Sequence, residues 1–371
     1  MPATSDYTKR ITQAQVHMQK VGVELMLVTP GADLRYLIGY NAIPLERITA
    51  LVLQPHIDPF LLVPRLEVST AMASPFGDLG WEVVGWAESA NPYEIIGQRS
   101  GFNGGRVAVD NHMWAERVLK LSENFPQAKI ELAAPIISAI RILKTPTELD
   151  SLRVAAAAID RVHAQIPHVL RVGRTEEEVG KDIADLILSE GHSRVDFVIV
   201  ASGPNGASPH HELSDRVIQP GDPVVVDIGG TMPSGYCSDC TRTYSMGDPG
   251  EQFRQRYSIL QRAQELSTNA VSHGAVSHDI DAAGRDELAT HGLGEYFIHR
   301  TGHGIGLETH EEPYLGENNP TVIQNNMIFS IEPGFYIEGV HGARIEDIVI
   351  CTPDGPESVN KQTRDLVIIG S

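Results

Sequence analysis

QPGDPVVVDIG (Gln219–Gly229) and QNNMIFSIEPG (Gln324–Gly334) overlay without a gap, and this correspondence decides the fold. Each is an apolar run bounded by turn residues and closed by an acid, Asp227 in one and Glu332 in the other. Such runs predict buried strands. Upstream, Gly173, Val179 and Gly191 recur as Gly274, Ile280 and Gly292 with the same internal spacings, 6 and 12. A histidine-bearing stretch follows each set, ending at His210 in one copy and His310 in the other. Downstream, Asp239 in YCSDCTRT answers Glu346 in ARIEDIVI. Residues 141–371 therefore read as two related αβ halves facing each other across a shared site.

Working outward, Thr145-Pro-Thr-Glu148 combines a capping box with Pro at the first helical position and opens this unit. Leu149, Leu152, Ala156, Ile159, Val162 and Ile166 continue it as a helical stripe. A second box, Thr175-Glu-Glu-Glu178, opens a helix with Val179, Ile183 and Leu186 on one face. Residues 1–140 alternate differently. Glu24–Thr29, Ile48–Leu53, Pro59–Val63 and Gly105–Asp110 read as strands, and segments near 9–21 and 112–124 carry helical spacing. That pattern predicts an α/β domain with helices covering its sheet. The expected organisation is an α/β accessory domain over 1–140 and a catalytic domain over 141–371, α+β overall.

Composition narrows the chemistry. The 371 residues carry 29 Lys+Arg against 48 Asp+Glu, a formal charge of −19. Such a field repels nucleic acid and anionic membrane surfaces. The acid is uneven: residues 1–140 hold 11 basic and 14 acidic side chains, and residues 141–371 hold 18 and 34. Most of that excess reads as solvated surface. Cys237, Cys240 and Cys351 make no disulfide framework, and the C-x-x-C pair lies in a stretch that reads as a strand, so both of its cysteines are taken as structural. MPATSDYTKR lacks the apolar core of a signal peptide, and no 18-residue apolar run occurs, so a cytoplasmic protein is expected.

Acids that close buried strands are costly unless paired or bound to metal. Asp239 and Thr241 are two apart and share one strand face, as do Arg344 and Glu346. Asp227, Asp239, Glu332 and Glu346 converging on one pocket would repel as bare anions, and two divalent cations would cancel them. Oxygen-rich ligation with a single imidazole suits Mn²⁺, Co²⁺ or Zn²⁺. Two such ions imply hydrolysis by a hydroxide that bridges them. His303, flanked by Gly302 and Gly304, and His310 are seven apart, so they need a turn or bulge between them or do different jobs.

At these residues the chain resembles the pita-bread-fold metallopeptidases, which include methionine aminopeptidase, aminopeptidase P and prolidase (Xaa-Pro dipeptidase). The matching blocks are D-x-G and Y-x-S-D-x-T-R-T within 227–243, G-H-G-I-G-L-E-x-H-E-x-P at 302–313, S-I-E-P-G at 330–334 and G-x-R-I-E-D at 342–347. Tyr36–Tyr40 and Val63–Glu67 resemble that family's creatinase-type N-terminal domain. The resemblance implies that Asp227 chelates one metal, Asp239 and Glu346 bridge both, and His303 and Glu332 bind the other. It makes Glu332 the proton acceptor, His210 and His310 catalytic and substrate-binding, His299 a further substrate-side residue, and Thr241 and Arg344 groups that orient Asp239 and Glu346. It also implies a short peptide substrate cleaved before proline and a homodimer, with Mn²⁺ as first candidate. Asp227 and Asp239 lie twelve apart, against eleven in most members; the extra residue falls in the turn 231–235, where it leaves strand register intact. Other readings remain open: hydrolase or lyase chemistry on a non-peptide small molecule, a creatinase-like metal-free enzyme, or a peptide-binding pseudo-enzyme.

Overall fold

The computed structural model describes residues 4–370; the first three residues of the opening segment and Ser371 lie outside the described residues. The chain divides into two compact units, Met1–Arg141 and Ile142–Ser371.

The first unit runs α1 (Thr4–Val21), β1 (Leu25–Val28), α2 (Ala32–Ile38), β2 (Ala50–Gln54), β3 (Ile57–Pro64), α3 (Val68–Met72), β4 (Glu82–Trp86), α4 (Pro92–Ser100), β5 (Gly105–Val109), α5 (Ala115–Asn124), β6 (Ala128–Leu132) and α6 (Ala134–Arg141). Its sheet has the order β4-β3-β2-β1-β5-β6. The four apolar runs of the sequence are β1, β2, β3 and β5. Leu25, Leu27, Val107 and Val109 build one core with Tyr93 and Ile96 of α4 and Leu121 of α5. Edge strands β4 and β6 were not foreseen because they are only half buried: Glu82 and Gly85 are exposed, and β6 has no fully buried residue.

The second unit continues with α7 (Pro146–Val169), α8 (Glu176–Ser189), β7 (Arg194–Ser202), β8 (Pro223–Thr231), β9 (Cys237–Met246), α9 (Glu251–Asn269), α10 (Ser277–Thr290), β10 (Gly302–Gly304), β11 (Glu311–Leu315), β12 (Ile328–Ile331), β13 (Gly334–Ile337), β14 (His341–Arg344), β15 (Asp347–Thr352), β16 (Gly355–Ser358) and β17 (Val367–Ile369). Its two larger sheets run β17-β9-β8-β7 and β11-β10-β12-β15-β16. Both capping boxes are formed, with Thr145 and Glu148 at the start of α7 and Thr175 and Glu178 at α8. The six-residue stripe of α7 is buried throughout, whereas on α8 Ile187 takes the buried place beside Leu186.

The repeat is geometric as well as sequential. Helices α8 and α10 are both 14 residues long and start at equivalent positions, Glu176 and Ser277. The residue before each makes an isolated bridge, Thr175 to Val217 and Val276 to Val322. Strand β8 pairs with β9 so that Asp227 faces Thr241, and β12 pairs with β15 so that Ile331 faces Asp347. The same register places Gly334 opposite Arg344, which sets Glu332 opposite Glu346. This corrects the matching of Asp239 with Glu346. The structural equivalent of Glu346 is Thr241, and that of Asp239 is Arg344, because ladder register rather than the order of acids fixes the correspondence. The β8–β9 ladder has no bulge, so the twelve-residue spacing is absorbed in the turn and Asp239 keeps the face of Thr241 and Asp227.

Helix α7 is pinned to β9 by His163, whose ring nitrogens lie 3.0 Å from the Tyr244 hydroxyl and 3.0 Å from the Cys240 carbonyl. Burial, reinforced by the nearby Arg242 charge, pushes the His163 pKa down to about 3. A histidine neutral in the fold and free to protonate when unfolded leaves stability intact above about pH 6.5 and removes it as pH falls towards about 3. We expect His163→Gln to remove about 1.4 kcal/mol per pH unit from the acid slope of unfolding free energy in that window. Urea titrations at pH 4, 5, 6 and 7 check this; an unchanged slope would show that the ring protonates in place.

Candidate active site

A cavity of about 1180 Å³ opens onto Asp227, Asp239, Glu332 and Glu346 and onto His210, His299, His303 and His310. The two larger sheets deliver the carboxylates. Asp227 and Asp239 come from β8 and β9, Glu332 from the end of β12, and Glu346 from the step between β14 and β15. All but Glu332 are buried.

Ligand atoms of these residues form overlapping clusters within 4.8 Å: Asp227, Asp239 and Glu346; His303, Glu332 and Glu346; and Asp239, His303 and His310. His303 Nδ1 lies 3.1 Å from the Gly304 carbonyl, which assigns the proton to that nitrogen. Nε2 then turns a lone pair towards Glu332 Oε1 at 3.1 Å and Asp239 Oδ2 at 3.7 Å. Lone pairs facing at that range need a proton or a cation between them. A register shift between His303 and Gly304 supplies the expected irregularity and brings the His310 ring centroid to 4.0 Å from that of His303.

Around this cluster the supports are specific. Thr241 Oγ1 donates to Glu346 Oε2 at 2.7 Å, and Ser330 Oγ donates to Glu332 Oε1 at 3.0 Å. Arg344 differs from expectation. It forms an ion pair with Asp227 at 2.5 Å and reaches Thr241 Oγ1 at 3.2 Å, rather than orienting Asp239 or Glu346 directly. Its Nη1 donates to the Tyr336 hydroxyl at 2.7 Å, and that hydroxyl lies 2.9 Å from His299 Nε2. His341 stays outside the cavity, against Phe253 and 3.1 Å from Arg256.

Electrostatics say what the cluster lacks. Burial, then Glu346 and Asp227, push Asp239 well above the usual carboxylate range. Burial, then Glu332 and Asp227, do the same to Glu346. Burial would also raise Glu332, but where a proton rather than a cation sits on His303 Nε2, the hydrogen bond and charge of that ring hold it at about 2. Desolvation, followed by His303, lowers His310 to about 4, so its ring is neutral at pH 7. Asp227 Oδ1 and Glu346 Oε1 are buried with no hydrogen-bond partner. Unpaired buried carboxylate oxygens are expensive, and a divalent cation is the partner that satisfies several at once. The donor set therefore fits metal.

Sequence reading named these ligand candidates but missed Tyr336 and Glu176. Tyr336 joins His299 to Arg344, and Glu176 holds His211. Both act through contacts that no local pattern announces. The cysteines of β9 are free and buried, as read. No helix among the described residues is long and apolar enough to cross a membrane.

The profile of metallopeptidase family M24 matches residues 150–353, and that of the creatinase/prolidase N-terminal domain matches residues 10–143. A probable dipeptidase PepE of Mycobacterium bovis is 48% identical over 98% of this chain and 96% of its own length. The Xaa-Pro dipeptidase of Lactobacillus helveticus is 33% identical, covering 97% and 98%. The crystal structure of dipeptidase PepE from Mycobacterium ulcerans superposes with a TM-score of 0.95 at 47% identity, covering 99% of both chains. With that fold, that carboxylate–histidine cluster and these matches, the chain belongs to metallopeptidase family M24.

Proposed function

We propose that this protein hydrolyses the peptide bond before proline in short peptides, with dipeptides as the first candidates. The observation that carries the reading is the cluster of four carboxylates and His303 with two buried oxygens lacking partners. Asp227, Asp239 and Glu346 would hold one divalent cation, and His303 and Glu332, sharing Asp239 and Glu346, the other. Two such cations neutralise the carboxylates and acidify water enough for attack at neutral pH.

The chain's own residues do the rest. Glu332, which lies 3.1 Å from His303 Nε2 and accepts from Ser330 Oγ, would accept the proton of the attacking water and return it to the leaving nitrogen. His310, neutral at pH 7, and His210 face the carbonyl oxygen where negative charge develops. His299, fixed between the Arg300 carbonyl and Tyr336, lines the substrate side. Phe197, Ile199, Leu213 and Ile298 give the cavity an apolar wall suited to a pyrrolidine ring. The dipeptidase names of the relatives support the substrate class. Manganese, a homodimer and a cytoplasmic setting belong to the same reading, the first supported by the oxygen-rich donors.

The test is a panel of Xaa-Pro dipeptides, Xaa-Pro-Yaa tripeptides and proline-free peptides, each with Mn²⁺, Co²⁺ or Zn²⁺. Metal-dependent release of proline from dipeptides is expected. Intact Xaa-Pro dipeptides and tripeptides under every metal would sink the reading.

A further inference from the structure

His210 sits exposed at the cavity edge and makes no hydrogen bond of its own with the described residues. Its position is therefore set by the backbone on either side. On one side, the Pro209 carbonyl accepts from Arg344 Nη2 at 3.4 Å. On the other, His211 Nε2 lies 2.7 Å from Glu176 Oε2.

Glu176 is fully buried and gathers much more than His211. Its Oε1 accepts from the Ser202 amide at 2.7 Å and the Ser202 hydroxyl at 2.6 Å. Asn205 Nδ2 donates to both oxygens at 3.1 Å, and the Ser214 hydroxyl donates to Oε2 at 2.6 Å. The end of β7, the start of the β7–β8 loop and the residues beyond His210 thus converge on one carboxylate. Helix α8 does not need this acid for its own start, because Thr175 and Glu178 already form the capping box. At the equivalent position in the other half, the Ser277 side chain makes one hydrogen bond, to the Tyr314 carbonyl. The carboxylate thus answers a need of the His210 loop, not of the helix terminus.

We propose that Glu176 is a positioning residue for His210, holding the loop so that the imidazole stays at the mouth of the cavity. The proposal rests on the catalytic reading of His210 given above. A residue acting only through His210 loses its influence once that imidazole is gone, which a double-mutant cycle measures. The holoenzyme is compared with Glu176→Gln, His210→Ala and the double variant, using an Xaa-Pro dipeptide and Mn²⁺.

Glu176→Gln presents a donor to Ser214 and His211 and is expected to lower kcat about tenfold, with bound manganese unchanged. In the His210→Ala background the same change should alter kcat less than about twofold. Equal fold losses in both backgrounds, or no loss in the wild-type background, overturn the proposal. Full activity of His210→Ala alone would instead refute the reading of His210, and the inference with it. Should Glu176→Gln fail to fold, Ser214→Ala removes one bond of the network and is held to the same non-additivity.

Discussion

Replacing Asp239 with asparagine should abolish turnover and yet make the cation-free protein harder to unfold. Asp239 is buried between Asp227 and Glu346 on the face of β9 that meets the cavity, and burial with these neighbours raises its pKa strongly. Without a cation it either carries charge against like charge or retains a proton it would release in water. Asparagine has the same shape and removes that cost. The holoenzyme pays in the opposite direction, because an amide cannot supply the anionic oxygen proposed to serve both cations. A fall in kcat/KM of about a thousandfold or more is expected. Urea unfolding of chelator-treated protein at pH 8 supplies the second half, where the variant should have the higher midpoint at unchanged m. A lower midpoint would mean that the Asp239 carboxylate is stabilised by contacts other than metal.

Chelation of the wild-type protein should destabilise it, by a margin that widens as pH rises. Two effects share this sign. Asp239 and Glu346 have pKa values raised above their unfolded values, so the cation-free fold gains from protonation at low pH and loses that contribution as pH rises. Cation binding requires the ionised forms and so strengthens over the same interval. At a free metal concentration one hundred times Kd, binding contributes about 2.7 kcal/mol. For a unit of this size that corresponds to about 5–10 °C in Tm. Thermal unfolding with EDTA and with Mn²⁺ at pH 5.5 and pH 8 reads the margin. A margin equal at both pH values would show that the buried acids do not change protonation on binding.

The repeat was legible because it rests on local patterns: glycine spacing, capping boxes and apolar runs ending in acid. These located α7, α8, β8, β9 and β12. Strands β4 and β6 escaped because an edge strand needs no continuous apolar run. At the site, Asp227, Asp239, His303, Glu332 and Glu346 were legible as motif members and do meet. The partner of Arg344 was not, since its pairing with Asp227 spans 117 residues and depends on how two sheets meet. Tyr336 and Glu176 were hidden for the same reason: an ordinary strand tyrosine and one acid among three in a helix's first turn acquire meaning only through distant partners.

The register of the two ladders has a chemical corollary. At the position where one half carries Glu346 the other carries Thr241, and where one carries Arg344 the other carries Asp239. The architecture is symmetric while the charges across its axis are not. To the ligand clusters one half contributes two aspartates and no imidazole; the other contributes two glutamates, His303 and His310, and carries a guanidinium that leans across onto Asp227. Under the proposed ligation two cations would occupy inequivalent places, one beside Asp227, whose charge Arg344 partly cancels, and one beside His303. The ladder frame is common to both halves, and different residues at two pairs of equivalent positions make the two places different.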